Sequence, residues 1–186
     1  MRVIAGRCRG RKLISPKGRD VRPTADRVKE AIFDMAQALV PGSRVLDLYA
    51  GTGALGIEAL SRGAVRALFV ESNPRNARTI AANLERCGLQ DEGTVITGEA
   101  IRTLLSLAPE PKWDLVLADP PYAAADDTEL LKALADCIGL ADNAMVYLER
   151  SAAYAINDPP GGLVLSGDKR YGDTSIVIYS KQGEGV

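Results

Sequence analysis

The spacing of hydrophobic positions changes along the chain, and each change marks an element. Val3 and Ile4, then Leu13 and Ile14, flank the turn-forming stretch Arg7-Cys8-Arg9-Gly10, which predicts an N-terminal β-hairpin over residues 1–15. Pro16 and Gly18 interrupt the pattern. Val28, Ala31, Ile32, Met35 and Leu39 then recur at helical spacing, behind Thr24 as a cap and with Asp26 in the first turn; Pro41-Gly42 ends this helix. From residue 44 onward, short apolar runs alternate with amphipathic segments. Strands are expected at 44–49, 66–71, 94–97, 113–118 and 144–149, and helices at 54–61, 74–87, 100–107 and 128–138. Val45-Leu46 and Leu115-Val116-Leu117 have the unbroken apolar character of strands covered on both faces. Such alternation implies an α/β fold, a parallel sheet with right-handed crossovers. Segments 162–166 and 174–180 have no helical pattern between them and are expected to close the sheet as an antiparallel hairpin.

Composition narrows the chemistry. The 186 residues are enough for one domain with its own core, and 46% apolar with 25% charged residues is ordinary globular usage. The chain has no histidine, which removes Ser-His and Cys-His nucleophiles and imidazole-ligated metals. Cys8, Cys87 and Cys137 have neither metal-ligand spacing nor the even number of a disulfide framework, so no metal and a reducing, cytoplasmic setting are expected. No apolar run approaches the ~20 residues that span a bilayer, and the first residues lack a signal-peptide core. The net charge of −1 conceals an asymmetry: residues 1–30 hold ten basic and three acidic side chains, a +7 front on a −8 body.

The first buried strand runs into Asp47-Leu48-Tyr49-Ala50-Gly51-Thr52-Gly53-Ala54-Leu55-Gly56, which opens a helix. Gly51, Gly53 and Gly56 match the dinucleotide fingerprint, and Glu71 ends the next strand where a carboxylate receives ribose hydroxyls. Asp47 bears on the choice of ligand. A carboxylate at 4 Å from a pyrophosphate charge repels it by roughly 4 kcal/mol at an effective dielectric near 20. S-adenosylmethionine (SAM) instead presents a sulfonium and an ammonium, which that carboxylate favours.

The strand at 113–118 ends in Asp119-Pro120-Pro121-Tyr122. In a parallel sheet this tip lies on the same edge as the glycine loop. The prolines stiffen the turn and remove two backbone donors, leaving the Asp119 carboxylate and bare carbonyls as acceptors. Tyr122 adds a face for stacking. Such a site suits an amino group on a flat ring: two acceptors take its hydrogens and aim the nitrogen lone pair, Asp119 can accept the departing proton, and no histidine base is needed.

These motifs together resemble class I SAM-dependent amino-group methyltransferases. Ile4-Ala5-Gly6, Arg9-Gly10-Arg11-Lys12-Leu13, Arg22-Pro23-Thr24-Ala25-Asp26-Arg27-Val28-Lys29-Glu30-Ala31, Ala59-Leu60-Ser61-Arg62-Gly63-Ala64 and Arg170-Tyr171-Gly172-Asp173-Thr174 are similar to the bacterial 16S ribosomal RNA guanine 2-amino methyltransferases, the RsmD family. The resemblance implies a Rossmann-like, seven-stranded sheet with an antiparallel last strand, SAM as cofactor, and one guanine of 16S rRNA as substrate, in an assembled or assembling small subunit. It places Asp47, Tyr49, Gly51, Gly53, Glu71, Ser72, Glu99, Ala100 and Asp119 around SAM, with Glu71 at the ribose and Glu99 where the family usually has aspartate near the adenine. Asp119, Pro120, Pro121 and Tyr122 are the catalytic set it implies. Arg7, Arg9, Arg11, Lys12 and Arg22 are the expected RNA contacts, the arginines suited to bidentate phosphate binding. Residues 1–20 are expected as a basic hairpin extension and 21–183 as the methyltransferase domain. The residues alone leave open an adenine or cytosine acceptor in DNA or another RNA, an NAD-dependent oxidoreductase, and a non-catalytic RNA-binding module.

Overall fold

The structure, a computed structural model, describes residues 1–15, 23–121, 127–156 and 158–183. Its elements in chain order are α1 (Pro23–Met35), β1 (Arg44–Leu48), α2 (Ala54–Ser61), β2 (Arg66–Glu71), α3 (Pro74–Cys87), β3 (Gly93–Thr97), α4 (Ala100–Leu105), β4 (Trp113–Ala118), α5 (Thr128–Asp136), β5 (Leu140–Ser151), β6 (Leu163–Tyr171) and β7 (Thr174–Lys181). The seven strands form one sheet in the order β3-β2-β1-β4-β5-β7-β6. β1 pairs in parallel with β2 and β4, β2 with β3, and β4 with β5. The last strand, β7, inserts antiparallel between β5 and β6. Strand order reverses between β1 and β4, the switch point at which open α/β sheets bind ligands.

Strand alternation divides the core in two. Val45, Phe69, Leu115 and Leu117 pack with Val28, Ile32 and Phe33 of α1, Ile57 and Leu60 of α2, and Ile80 and Leu84 of α3. Leu46, Leu48, Val70, Val116 and Ala118 face the other way, against Ala100 and Leu104 of α4 and Leu130, Leu131 and Leu134 of α5. Asp47, Glu71 and Asp119 each continue an odd-numbered row, so all three belong to the first face. The register sets the tips level, since Leu48 lies opposite both Val70 and Ala118.

The C-terminal hairpin is longer than its pattern implies. Residues 167–171 extend β6, and the turn shrinks to Gly172-Asp173 between the paired Tyr171 and Thr174. β6 is an edge strand with mostly exposed side chains, so Asp168, Lys169 and Arg170 can occupy it without burial and hide it from the apolar count.

The N-terminal hairpin, by contrast, is shorter than its pattern implies. It contains a single bridge, Arg2 to Lys12, closed by Val3 N–H to Arg11 O at 3.0 Å and Leu13 N–H to Met1 O at 3.1 Å. Its outer amides pair with α2 instead of with an opposing strand. Ile4 and Ala5 donate to the two oxygens of Glu58 at 2.7 and 2.9 Å, and Cys8 N–H donates to Ser61 Oγ at 2.9 Å. Gly6, at φ +78°, sits so close that a Cβ there would lie 1.8 Å from Ser61 O. The stretches Ile4-Ala5-Gly6 and Ala59-Leu60-Ser61-Arg62 thus form one contact. Lys29 and Arg62 complete it, at 3.3 and 2.9 Å from the wholly buried Glu58. Burial lowers the pKa of Lys29, and the charge of Glu58 opposes that shift. Val3, Cys8 and Leu13 are buried in the main core, so residues 1–15 pack against the body.

Candidate active site

At the tip of β1 the chain turns sharply. Tyr49 takes φ +58°, an uncommon conformation for a non-glycine residue, and Gly53 at φ +78° starts α2. Three side chains from three elements hold this loop. Asp47 Oδ2 accepts from Gly56 N–H at 2.8 Å. Glu71 accepts from Gly51 N–H at 2.8 Å through one oxygen and from Asn73 N–H at 2.7 Å through the other. Asn83 Nδ2 donates to Thr52 O at 3.0 Å. Gly56 permits this packing: a Cβ there would fall 2.3 Å from the Phe69 ring and 3.0 Å from Asp47 Oδ2. A Cβ at Gly51 would meet nothing nearer than Tyr49 O at 3.9 Å, so the loop is open on the ligand side.

Asp47 is the residue whose state the site controls. Burial raises its pKa well above the ordinary 3.8; the Gly56 amide opposes the rise, and the charges of Asp119 and Glu71 add to it. These carboxylates come from the tips of β1, β2 and β4 on one face of the sheet. The charges of Asp119 and Glu71 thus disfavour the ionised form of Asp47, and a cation beside it would favour that form. A pyrophosphate would disfavour it further. The donor set therefore fits the sulfonium and ammonium of SAM and disfavours a dinucleotide.

Glu99 caps α4, accepting from Ile101 N–H at 3.2 Å and Arg102 N–H at 2.7 Å. The buried Ala100 follows it. Burial of the half-exposed Tyr49 raises its phenol pKa, and the charges of Glu99 and Asp127 push in the same direction, which brings β1, α4 and α5 to one corner. Ser72 is exposed just beyond β2. At the tip of β4, Asp119 is exposed, Pro120 buried and Pro121 exposed. Tyr122 and Arg22 lie outside the described residues, as do 123–126.

The basic contacts are less free than their charges imply. Arg7 is paired with Glu92, and Arg11 donates to Arg86 O at the end of α3. Arg9 and Lys12 are exposed. Arg7 remains half exposed, so it can face solvent while bridged.

Four buried polar side chains that hold the body around the site have little or no local signal: Asn83, Glu58, Asp127 and Arg150. Asp127 is buried and paired with the buried Arg150 at 3.2 Å. It thereby fastens the far end of the connection that begins at Asp119. The one available hint for Arg150 is a charge continuing the buried apolar run of β5.

A family model described as "Conserved hypothetical protein 95" matches residues 1–180. "Ribosomal RNA small subunit methyltransferase D" of Escherichia coli is 31% identical over 185 residues, covering 100% of this chain and 92% of its own. The same-named protein of Haemophilus influenzae is 33% identical over 181 residues, covering 96% and 93%. The solved structure of Escherichia coli yhhF superposes with a TM-score of 0.86 at 29% identity over 99% of each chain. The sheet order is that of class I SAM-dependent methyltransferases. With matches that run the length of the sequence, the chain belongs to the ribosomal RNA small subunit methyltransferase D family.

Proposed function

We propose that this SAM-dependent methyltransferase methylates the exocyclic 2-amino group of one guanine in 16S ribosomal RNA, presented by an assembled or assembling small subunit. The observation that carries the reading is the register: Leu48 opposite Ala118 puts the cofactor loop and the Asp119-Pro120-Pro121 tip on adjacent strands, at one edge and on one face. The names of the full-length relatives supply the class of RNA. A carboxylate cluster unsuited to pyrophosphate speaks against the oxidoreductase alternative. A basic front of +7 speaks for a nucleic acid substrate.

When bound, SAM supplies an electrophilic methyl group on its sulfonium. Asp47 and the open side of Gly51 would hold the cationic end, Glu71 would receive the ribose hydroxyls, and Tyr49, Gly53, Ser72, Glu99 and Ala100 would line the remainder. Asp119 and the carbonyls of the proline turn accept both hydrogens of the guanine amino group. That fixes the nitrogen lone pair toward the cofactor loop, and positioning supplies much of the rate. As the nitrogen gains the methyl group, the sulfur–methyl bond breaks and its electron pair stays on the departing thioether; Asp119 would take the proton that the nitrogen loses. Tyr122 stacks on the base, and Arg7, Arg9, Arg11, Lys12 and Arg22 track phosphates.

The test is transfer of labelled methyl from SAM to small ribosomal subunits, naked 16S RNA and DNA in parallel, with nucleoside analysis of the product. N2-methylguanosine from the ribosomal substrate is expected. Methyladenosine, methylcytosine or ribose methylation would overturn the assignment.

A further inference from the structure

Asn83 of α3 is wholly buried, and its carboxamide joins two distant segments. Its Oδ1 accepts from Ile14 N–H at 2.7 Å, while Nδ2 donates to Ile14 O at 3.1 Å and to Thr52 O at 3.0 Å. Thr52 lies between Gly51 and Gly53 in the cofactor loop. Ile14 belongs to the basic N-terminal segment. One acceptor and two donors meet one amide and two carbonyls, a match that a carboxylate cannot reproduce because it has no donor. The two segments touch again where Thr52 Oγ1 lies 3.8 Å from Met1 Sδ.

The loop side of this joint is attached to the ligand site. Gly51 N–H is held by the Glu71 carboxylate, the group assigned to the ribose. A ligand that engages Glu71 redistributes its hydrogen bonds, and the loop holding Thr52 adjusts with them. Through Asn83, Ile14 must follow or lose its partners. We propose that Asn83 is a positioning residue that couples cofactor binding to RNA binding, linking the cofactor loop to the basic segment. This rests on the SAM and RNA reading above. Linkage requires the coupling to be reciprocal: each ligand raises affinity for the other by the same factor.

The experiment uses the full chain, S-adenosylhomocysteine and a 16S RNA fragment. Calorimetry measures S-adenosylhomocysteine affinity with and without saturating RNA, and filter binding measures RNA affinity with and without S-adenosylhomocysteine. The wild type is expected to show a factor of about five or more in both directions. Asn83→Leu and Asn83→Asp are expected to bring the factor near one while both ligands still bind. Ile14→Pro removes one donor at an exposed position outside the core and is expected to reduce the factor while the protein stays folded, with a modest fall in unfolding midpoint because Asn83 Oδ1 loses its partner; it decides the matter if the Asn83 variants do not fold. A wild-type factor of one, or an unchanged factor in the folded variants, would overturn the coupling. A wild type that binds no S-adenosylhomocysteine would overturn the cofactor reading as well, and is thereby distinguished from loss of coupling alone.

Discussion

The tips of β1 and β4 are neighbours, yet they are built in opposite ways. At β1, Asp47, Glu71 and Asn83 each hold a backbone group of the glycine loop, so the loop's shape is set by hydrogen bonds within the chain. At β4, two prolines remove backbone donors, and the tip turns outward with Asp119 exposed. Its fixation comes from the ends: parallel pairing to β1 on one side, and the buried Asp127–Arg150 pair where α5 begins. The cofactor corner is completed by the chain itself. The tip of β4 instead presents an exposed carboxylate and a proline turn with few donors, which suits the donor-bearing substrate proposed above. A methyl donor shared by every turnover suits the first design, and a base that must be drawn out of a large RNA suits the second.

The sharpest way to break this comparison is Asp119→Ala. Turnover is expected to fall about 10²–10⁴-fold, while S-adenosylhomocysteine affinity measured by calorimetry changes less than about threefold. Loss of both together would mean that the two corners are not separable. Glu58→Ala tests the body beneath the cofactor corner: it leaves Lys29 and Arg62 unpaired and frees the Ile4 and Ala5 amides. Chemical denaturation should show a loss of about 3–5 kcal/mol.

Asp47→Asn separates charge from shape, since an amide oxygen can still accept from Gly56. A carboxyl whose folded pKa is raised binds its proton more tightly in the native state, so its share of stability is present below the ordinary 3.8 and is lost as pH rises above it. The variant should therefore gain stability relative to wild type as pH increases through that interval. SAM affinity should move the other way. It should fall on the order of tenfold at neutral pH, and the wild type's gain in affinity with rising pH should flatten in the variant.

The smallest effect is expected at the basic segment. Alanine at Arg7, Arg9 and Arg11 should lower RNA affinity and reduce its salt slope by less than the ~0.7 per contact that three free phosphate contacts would give, because Arg7 and Arg11 also have partners in the protein. A salt slope reduced by the full amount would show that those partners release them to RNA.

What could be read from sequence was what is local. The alternation of apolar runs and amphipathic segments placed every strand and helix from residue 44 to within a few residues, apart from the start of β5 and the end of β6. The glycine loop, Asp47, Glu71 and Asp119 were visible because strand tips announce themselves by where the apolar run stops. The N-terminal pairing is shorter than its alternation implies, because several of its amides pair with Glu58 and Ser61, more than fifty positions away. Asn83 escaped notice for the same reason, with one partner 31 and the other 69 positions distant. On an amphipathic helix a polar residue reads as solvent-facing until the fold supplies something to cover it.

The central claim is that donor and acceptor meet across the β1–β4 switch point. A crystal structure of the protein with S-adenosylhomocysteine tests it most directly. The sulfur is expected over the Gly51–Gly53 loop and facing Asp119, with the ribose on Glu71. A ligand seated elsewhere, or with its sulfur turned away from the Asp119-Pro120-Pro121 tip, would contradict the account.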